Sequence, residues 1–239
     1  MIRMAAHSLV LWDIDHTLID TGGLGRDAYA AAFHAATGVA ISENWRFDGR
    51  TELAAAIEAL STHGLSADSG QVQRLLDEIE AVHVRLADEF AARSRTLPGV
   101  REAIAALAEY PQVHQSVLTG NVRAVAEVKL EAVGLLSQLD TEIGAYGSDA
   151  IERNALAPVA FARAAELLGV SFSGPTTVIV GDTPRDVDAA AAVGATCFGV
   201  ATGNHSTEQL QAAGAQVVFP DLADTEAFVA AIKATLPLR

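Results

Sequence analysis

The sequence predicts an α/β protein: a doubly wound parallel sheet with an all-helical segment inserted after the first strand. Three observations predict it. Short apolar and β-branched runs alternate with alanine-rich stretches of helical spacing, the pattern of parallel strands joined by right-handed crossovers. Residues 24–95 are helical in texture and carry no convincing strand pattern. The chain has 239 residues, enough for one large core or for a domain plus an insert.

The elements follow in order. Ser8 to Trp12 is a short apolar run ending at acidic residues, which reads as a buried parallel strand. Thr21, Gly22 and Gly23 break the pattern. Leu24 to Thr37 reads as a helix stopped by Gly38, and Thr51 to Leu60 as a second ended near Gly64. Asp68 to about Phe90 reads as one long helix, with Val72, Leu75, Leu76, Ile79, Val82 and Leu86 in helical spacing. From Pro98 the alternation resumes: helix Val100 to Leu107, strand Val113 to Leu118, helix Val122 to Val133 and strand Leu139 to Ala145. Helix Pro158 to Leu168 precedes the β-branched strand Thr176 to Val180. The next helix, Pro184 to Val193, has Thr183 as N-cap, proline at its first position and Gly194 as its stop. Strand Thr196 to Val200, a helix opened by the capping-box spacing of Ser206 to Gln209, strand Val217 to Phe219 and a helix from Ala223 complete the chain. The expected division is a core of residues 1–20 and 96–239 and a helical unit of residues 21–95.

Half the residues are apolar, and the formal net charge is −14. Nucleic-acid binding needs clustered Lys and Arg, which are missing here, so nucleic acid is excluded as a main partner. The same charge repels an anionic membrane surface. It also repels an anionic substrate unless a cation and local arginines reverse the sign. The single cysteine, Cys197, allows no intramolecular disulfide and sits in an apolar strand, as a buried structural thiol does. The apolar run near the start is too short for a signal peptide, and no stretch reaches membrane-spanning length without charges. A cytoplasmic protein is the expectation.

Ligands of open α/β sheets bind outside the carboxyl ends of the strands. Asp13 and Asp15 follow the first strand, Thr119-Gly120-Asn121 follow another, and Gly181-Asp182 follow a third, with Asp186 one helical turn on. Gathered carboxylates repel one another unless a cation neutralises them, and hard oxygen donors without Cys or paired His favour Mg²⁺ over zinc. One carboxylate is then free to attack phosphorus, and a second, two residues on, can protonate the leaving oxygen and later deprotonate a water. Thr119 adds a neutral hydroxyl for phosphate oxygens, and backbone N–H groups near Gly120 add more.

Asp13-Ile14-Asp15-His16-Thr17-Leu18, Leu118-Thr119-Gly120-Asn121 and Val180-Gly181-Asp182-Thr183-Pro184-Arg185-Asp186, in that order, resemble the haloacid dehalogenase superfamily, most closely its phosphoglycolate phosphatase-like branch with a helical cap after the first strand. The resemblance implies a Rossmann-like core under that cap. It implies Asp13 as nucleophile forming an aspartyl-phosphate, Asp15 as general acid/base and Thr119 as the phosphate-binding hydroxyl. It further implies Mg²⁺ held by Asp13, the backbone carbonyl of Asp15, Asp182 and, directly or at one remove, Asp186. The superfamily's basic residue, usually a lysine before the helix leading to the Asp182 strand, is absent. Ser148 to Asn154 offers only Arg153, which is expected to take its place. Lys129, on the helix after Thr119, is the rival and reads as a solvated helix residue.

The implied reaction is hydrolysis of a small phosphate monoester. Dehalogenation is disfavoured because a halide leaving group needs no proton and the superfamily's dehalogenases lack the second Asp. A phosphomutase shares the same first-motif chemistry and stays open, as does a non-enzymatic module phosphorylated on Asp13. His16 and His205 read as loop residues beside the site. In Phe47-Asp48-Gly49-Arg50-Thr51, Arg50 either binds an anionic part of the substrate or is a surface residue at a helix start.

Overall fold

The computed structural model describes residues 7–45 and 49–237. Phe47 and Asp48 of the segment singled out above lie outside them. Strand β1 (Ser8–Trp12), buried at every position, is followed by a two-residue strand, β2 (Ile19–Asp20). Four helices come next: α1 (Leu24–Thr37), α2 (Glu52–Thr62), α3 (Ser69–Arg85) and α4 (Ala87–Arg93). Strand β3 (Arg95–Thr96) then returns antiparallel along β2. The chain continues through α5 (Val100–Ala108), β4 (Val113–Val117), α6 (Arg123–Ala132), α7 (Leu156–Leu168) and β5 (Thr177–Gly181). It closes with α8 (Pro184–Val193), β6 (Thr196–Val200), α9 (Thr207–Ala213), β7 (Val217–Phe219) and α10 (Thr225–Thr235). The five long strands form one parallel sheet of order β4-β1-β5-β6-β7.

This order sets the site. From β1 the chain crosses to β4 on one side and then to β5 on the other, so the strand order reverses at β1. A crevice opens at such a reversal, outside the carboxyl ends of the strands. Alternation along β1 sends Val10 and Trp12 into one face's core, with α5 and α10, and Leu9 and Leu11 into the other, with α7 and α8. Each fully buried side chain of this kind contributes about 1.5–3 kcal/mol of transfer free energy, so the strand under the site is firmly held. Helices α1 to α4 form a third apolar cluster, around Phe33, Leu75, Ile79 and Phe90, that also takes in Val122 and Val125 at the start of α6.

Three sequence expectations need correction. Leu139 to Ala145 is not a strand. Asp140 and Ala145 donate to Gln115 and Val117 at 2.9 Å each, and Thr119 donates to Ala145 at 3.0 Å, so the segment lies along β4. Between those points Thr141–Ile143 makes a 3₁₀ turn, started by Asp140 Oδ1 accepting from the Glu142 N–H at 3.2 Å. The aspartate side chain thus offers the backbone a partner other than the ladder. The long third helix is two helices, broken at Leu86 (φ −94°, ψ 12°). Its apolar spacing runs on because Phe90 enters the same cluster. Finally, β2 and β3 were not expected; two-residue strands are shorter than any periodic window. Smaller shifts move the starts of α7 and α10 to Leu156 and Thr225.

Candidate active site

Asp13 extends β1 by one residue: its N–H donates to the Val180 carbonyl at 2.9 Å. The next residues turn sharply, with the N–H groups of Leu18 and Ile19 both donating to Ile14 O at 2.9 and 3.0 Å. His16 sits at φ +60°, in the left-handed region where His is several-fold enriched among non-glycine residues. Its carbonyl accepts from Thr202 Oγ1, tying the turn to the loop after β6. The turn leaves Asp13 and Asp15 lining the same cavity of about 280 Å³.

Thr119 is fully buried after β4, its N–H donating to Ala145 O at 3.0 Å. Gly120 and Gly147 are required by close backbone contact: a Cβ on Gly120 would lie 2.0 Å from Arg50 O, and one on Gly147 1.7 Å from Gly120 O. Asp182 follows β5, and Asp186 lies in the first turn of α8. There Asp186 Oδ2 accepts from the Thr183 N–H and hydroxyl at 3.0 and 2.8 Å, reaching back to the N-cap as in a capping box.

Arg153 is buried, and its Nη2 lies 2.9 Å from Asp13 Oδ1 and 2.5 Å from Asp186 Oδ1. Nη1 donates to Gly49 O at 3.3 Å. Of the two basic candidates, then, Arg153 is the one beside Asp13. Lys129 is not a solvated helix residue: it is 3% exposed, with Nζ 2.8 and 2.7 Å from the two oxygens of Asp15. A sequence cue was present, because Lys129 falls on the buried stripe of α6 with Val125, Ala126 and Leu130.

Asp13, Asp182 and Asp186 each bring a carboxylate oxygen within 4.8 Å of the others, and all three are buried. One guanidinium, Arg153, pairs with Asp13 and Asp186. Burial first, then the Arg153 charge opposing it and Asp186 adding to it, leaves Asp13 raised to about 6. Asp182 is pushed well above the usual carboxylate range by burial and by Asp13 and Asp186. This uncompensated negative charge, with oxygen donors only, fits a hard divalent cation such as Mg²⁺. The oxygens differ in readiness: both of Asp186 already accept hydrogen bonds, whereas Asp182 Oδ1 takes only a long one, 3.4 Å, from Thr17 Oγ1. Asp15 behaves oppositely. Burial favours its neutral form, but Lys129 and Asn121 outweigh that and hold it below the ordinary carboxylate value.

The other wall of the cavity comes from the helices between β2 and β3, with Arg26, Tyr29, Arg50, Glu52 and His83 facing in. Arg50 Nε pairs with Glu58 at 2.9 Å. His16 and His205 also line the cavity. This wall is anchored at the start of α2, where the first N–H groups of a helix lack partners. The Glu52 and Leu53 N–H groups donate to Gly120 O and Gly147 O at 2.7 and 3.3 Å, and Thr51 Oγ1 donates to Ile151 O at 2.6 Å. In return, Glu52 Oε2 accepts from the Val122 N–H at 2.5 Å. The sequence marks Glu52 only as a helix start, since nothing local reveals a contact 70 residues away.

Burial pushes Glu52 up to about 7, against the pull of Lys129 and the Val122 N–H. A carboxyl raised by folding stabilises the fold most below its unfolded value, 4.5, and that contribution is lost as pH rises through about 7. The loss is on the order of 2–3 kcal/mol. Glu52→Gln keeps the acceptor and removes the titration. Urea denaturation at pH 5 and pH 8 should show the variant losing less stability over this interval than the wild type; equal losses would refute the assignment.

A family model described as haloacid dehalogenase-like hydrolase matches residues 7–194. The probable phosphatase IndB of Dickeya dadantii (strain 3937) is 31% identical over 221 residues, 88% of each chain. The validoxylamine A 7′-phosphate phosphatase of Streptomyces hygroscopicus subsp. limoneus is 31% identical over 220 residues, 91% of this chain and 95% of that one. In fold, a solved hydrolase from Pseudomonas syringae superposes with a TM-score of 0.71 at 22% identity, over 95% of this chain and 99% of that one.

Proposed function

This chain belongs to the haloacid dehalogenase-like hydrolases, and from that premise we propose that it is a Mg²⁺-dependent phosphatase of small phosphorylated metabolites. The observation that carries the reading is the meeting of Asp13, Asp15, Thr119, Arg153 and Asp182 in one cavity, although they come from separate segments of the chain. Both relatives above are phosphatases by name. We assign residues 21–95 as a cap that closes over a core of residues 1–20 and 96–239 and shields the reaction from water.

In this mechanism Asp13 Oδ1 is held by Arg153, and Oδ2 attacks phosphorus. Asp15, ionised in the free protein, takes up a proton that the substrate brings as its phosphate monoanion and gives it to the departing alcohol oxygen, leaving a phosphoryl group on Asp13. As a base it then takes a proton from water, whose oxygen attacks phosphorus, releases inorganic phosphate and restores Asp13. Thr119 Oγ1 accepts from Asn121 Nδ2 at 2.9 Å and from the Asn121 N–H at 3.2 Å, so its own proton is available to a phosphate oxygen. Backbone N–H groups around Gly120 and Asn121 complete the phosphate cradle. Asp13, the Asp15 carbonyl, Asp182 and Asp186 would hold the ion. When bound there, Mg²⁺ supplies positive charge for the transferring phosphoryl oxygens.

The rest of the substrate, a small polar alcohol, faces the cap wall, where Arg50 is offered to any further anionic group. With a net charge of −14, this local set of cations is what admits an anionic metabolite, and nucleic acid is no partner. Among the described residues no helix is long and apolar enough to cross a membrane. The buried free thiol of Cys197 suits a reducing compartment, and we place the enzyme in the cytoplasm. Release of inorganic phosphate from p-nitrophenyl phosphate tests the reading. Turnover should vanish with EDTA and return with Mg²⁺; turnover indifferent to EDTA would contradict it.

A further inference from the structure

The cavity contains a cation that the mechanism above does not use. Lys129 Nζ lies 2.8 and 2.7 Å from the two oxygens of Asp15 and 2.8 Å from Asn121 Oδ1. An ammonium group only donates. Asn121 must therefore turn its carbonyl oxygen toward Lys129 and its NH₂ group the other way. That NH₂ group donates to Asp15 Oδ2 at 2.7 Å and to Thr119 Oγ1 at 2.9 Å. One buried charge thus fixes the donor–acceptor direction from Asp15 through Asn121 to Thr119.

The arrangement is rigid at its base and open at its tip. Lys129 emerges from α6 among the buried residues Val125, Ala126 and Leu130, with its side chain 4% exposed, whereas the Asp15 side chain keeps 34% of its surface open. Asp15 lies in the turn after β1, just before the left-handed His16, rather than inside that strand, so its backbone alone does not define where the carboxylate points. A grip on both of its oxygens by a lysine on a packed helix does.

Resting on the phosphatase reading, we propose that Lys129 is a positioning residue for proton transfer: it orients Asp15 toward the leaving oxygen and does not itself bind the phosphate. Arg153 serves the nucleophile and Lys129 serves the acid/base, so the two cations divide the work. A lysine that merely stabilised the fold would affect every substrate alike. A lysine acting through Asp15 matters in proportion to how much the leaving group needs a proton.

The test compares kcat/KM for phenyl phosphate, a poor leaving group, with that for p-nitrophenyl phosphate, a good one. General acid catalysis is worth on the order of 10²–10⁴-fold. Lys129→Met should lower kcat/KM for phenyl phosphate by about 10²-fold and for p-nitrophenyl phosphate by less than about 10-fold. In an Asp15→Asn background the same change should cost nothing further, because the two residues act as a unit. Lys129→Gln keeps a donor for Asp15 and should show the same selectivity in weaker form; it carries the comparison if the Met variant does not fold. Equal losses on the two substrates, or a loss that adds to that of Asp15→Asn, would overturn the proposal. A wild-type protein that hydrolyses neither substrate would instead overturn the phosphatase reading on which it rests.

Discussion

Asp13→Asn is expected to abolish turnover, lowering kcat on the order of 10⁴-fold or more, as removal of a nucleophile does elsewhere. Asn has nearly the same shape, so its carbonyl oxygen can still accept from Arg153, which lies 2.9 Å from Asp13 Oδ1. What goes is the attacking oxygen's charge. The fold should respond in the opposite direction. Asp13 is raised to about 6 by burial and by Asp186, so at pH 8 its ionised form costs stability. Removing that charge also relieves Asp182, which Asp13 pushes upward. In EDTA at pH 8, Asp13→Asn should therefore be more stable than the wild type by about 1–3 kcal/mol. Phosphate release and urea denaturation on the same sample check both halves. An inactive variant that is also destabilised would mean that the charge cluster is compensated in some other way.

The second large effect belongs to Arg153. Arg153→Ala removes the guanidinium that ion-pairs Asp13 and Asp186, and strands two buried carboxylates. Loss of one partner of a buried ion pair costs about 3–5 kcal/mol. It also breaks the Nη1 contact with Gly49 O, just before α2. Activity should fall by about 10²–10³-fold, the size of effect seen when a donor to a developing charge is deleted. Arg153→Lys should recover part of the stability and less of the activity, because one ammonium can take the place of Nη2 between the two carboxylates but cannot also make the Nη1 contact with Gly49 O. Denaturation midpoints and phosphate release measure the two effects; wild-type activity in Arg153→Ala would remove Arg153 from the site.

Why these residues were readable, and others were not, follows from the range of the forces that place them. Thr183, Pro184, Asp186 and Gly194 mark both ends of α8 by local rules of capping and backbone freedom, and the helix lies between them. Ser206 and Gln209 mark the start of α9 in the same way. Asp13, Thr119 and Asp182 could be singled out because strand ends share one edge of a parallel sheet, so separate apolar runs imply proximity. Contacts set by tertiary packing left no such trace. Glu52 reaches Val122 across 70 residues, and its burial is invisible in a helix start. The charge of Lys129 suggests a solvated face, but its place on the apolar stripe of α6 decides its burial. Leu139 to Ala145 has strand composition and follows β4, yet one aspartate side chain diverts it into a 3₁₀ turn.

The central claim is that Asp13 becomes phosphorylated during turnover. Protein turning over p-nitrophenyl phosphate with Mg²⁺ can be quenched in acid, digested and analysed by mass spectrometry. The peptide holding Asp13 is predicted to carry a hydroxylamine-labile phosphoryl group, more abundant in Asp15→Asn, where hydrolysis of the intermediate lacks its base, and absent in Asp13→Asn. Phosphorylation at another residue, or turnover with no phosphorylated protein even in Asp15→Asn, would contradict it.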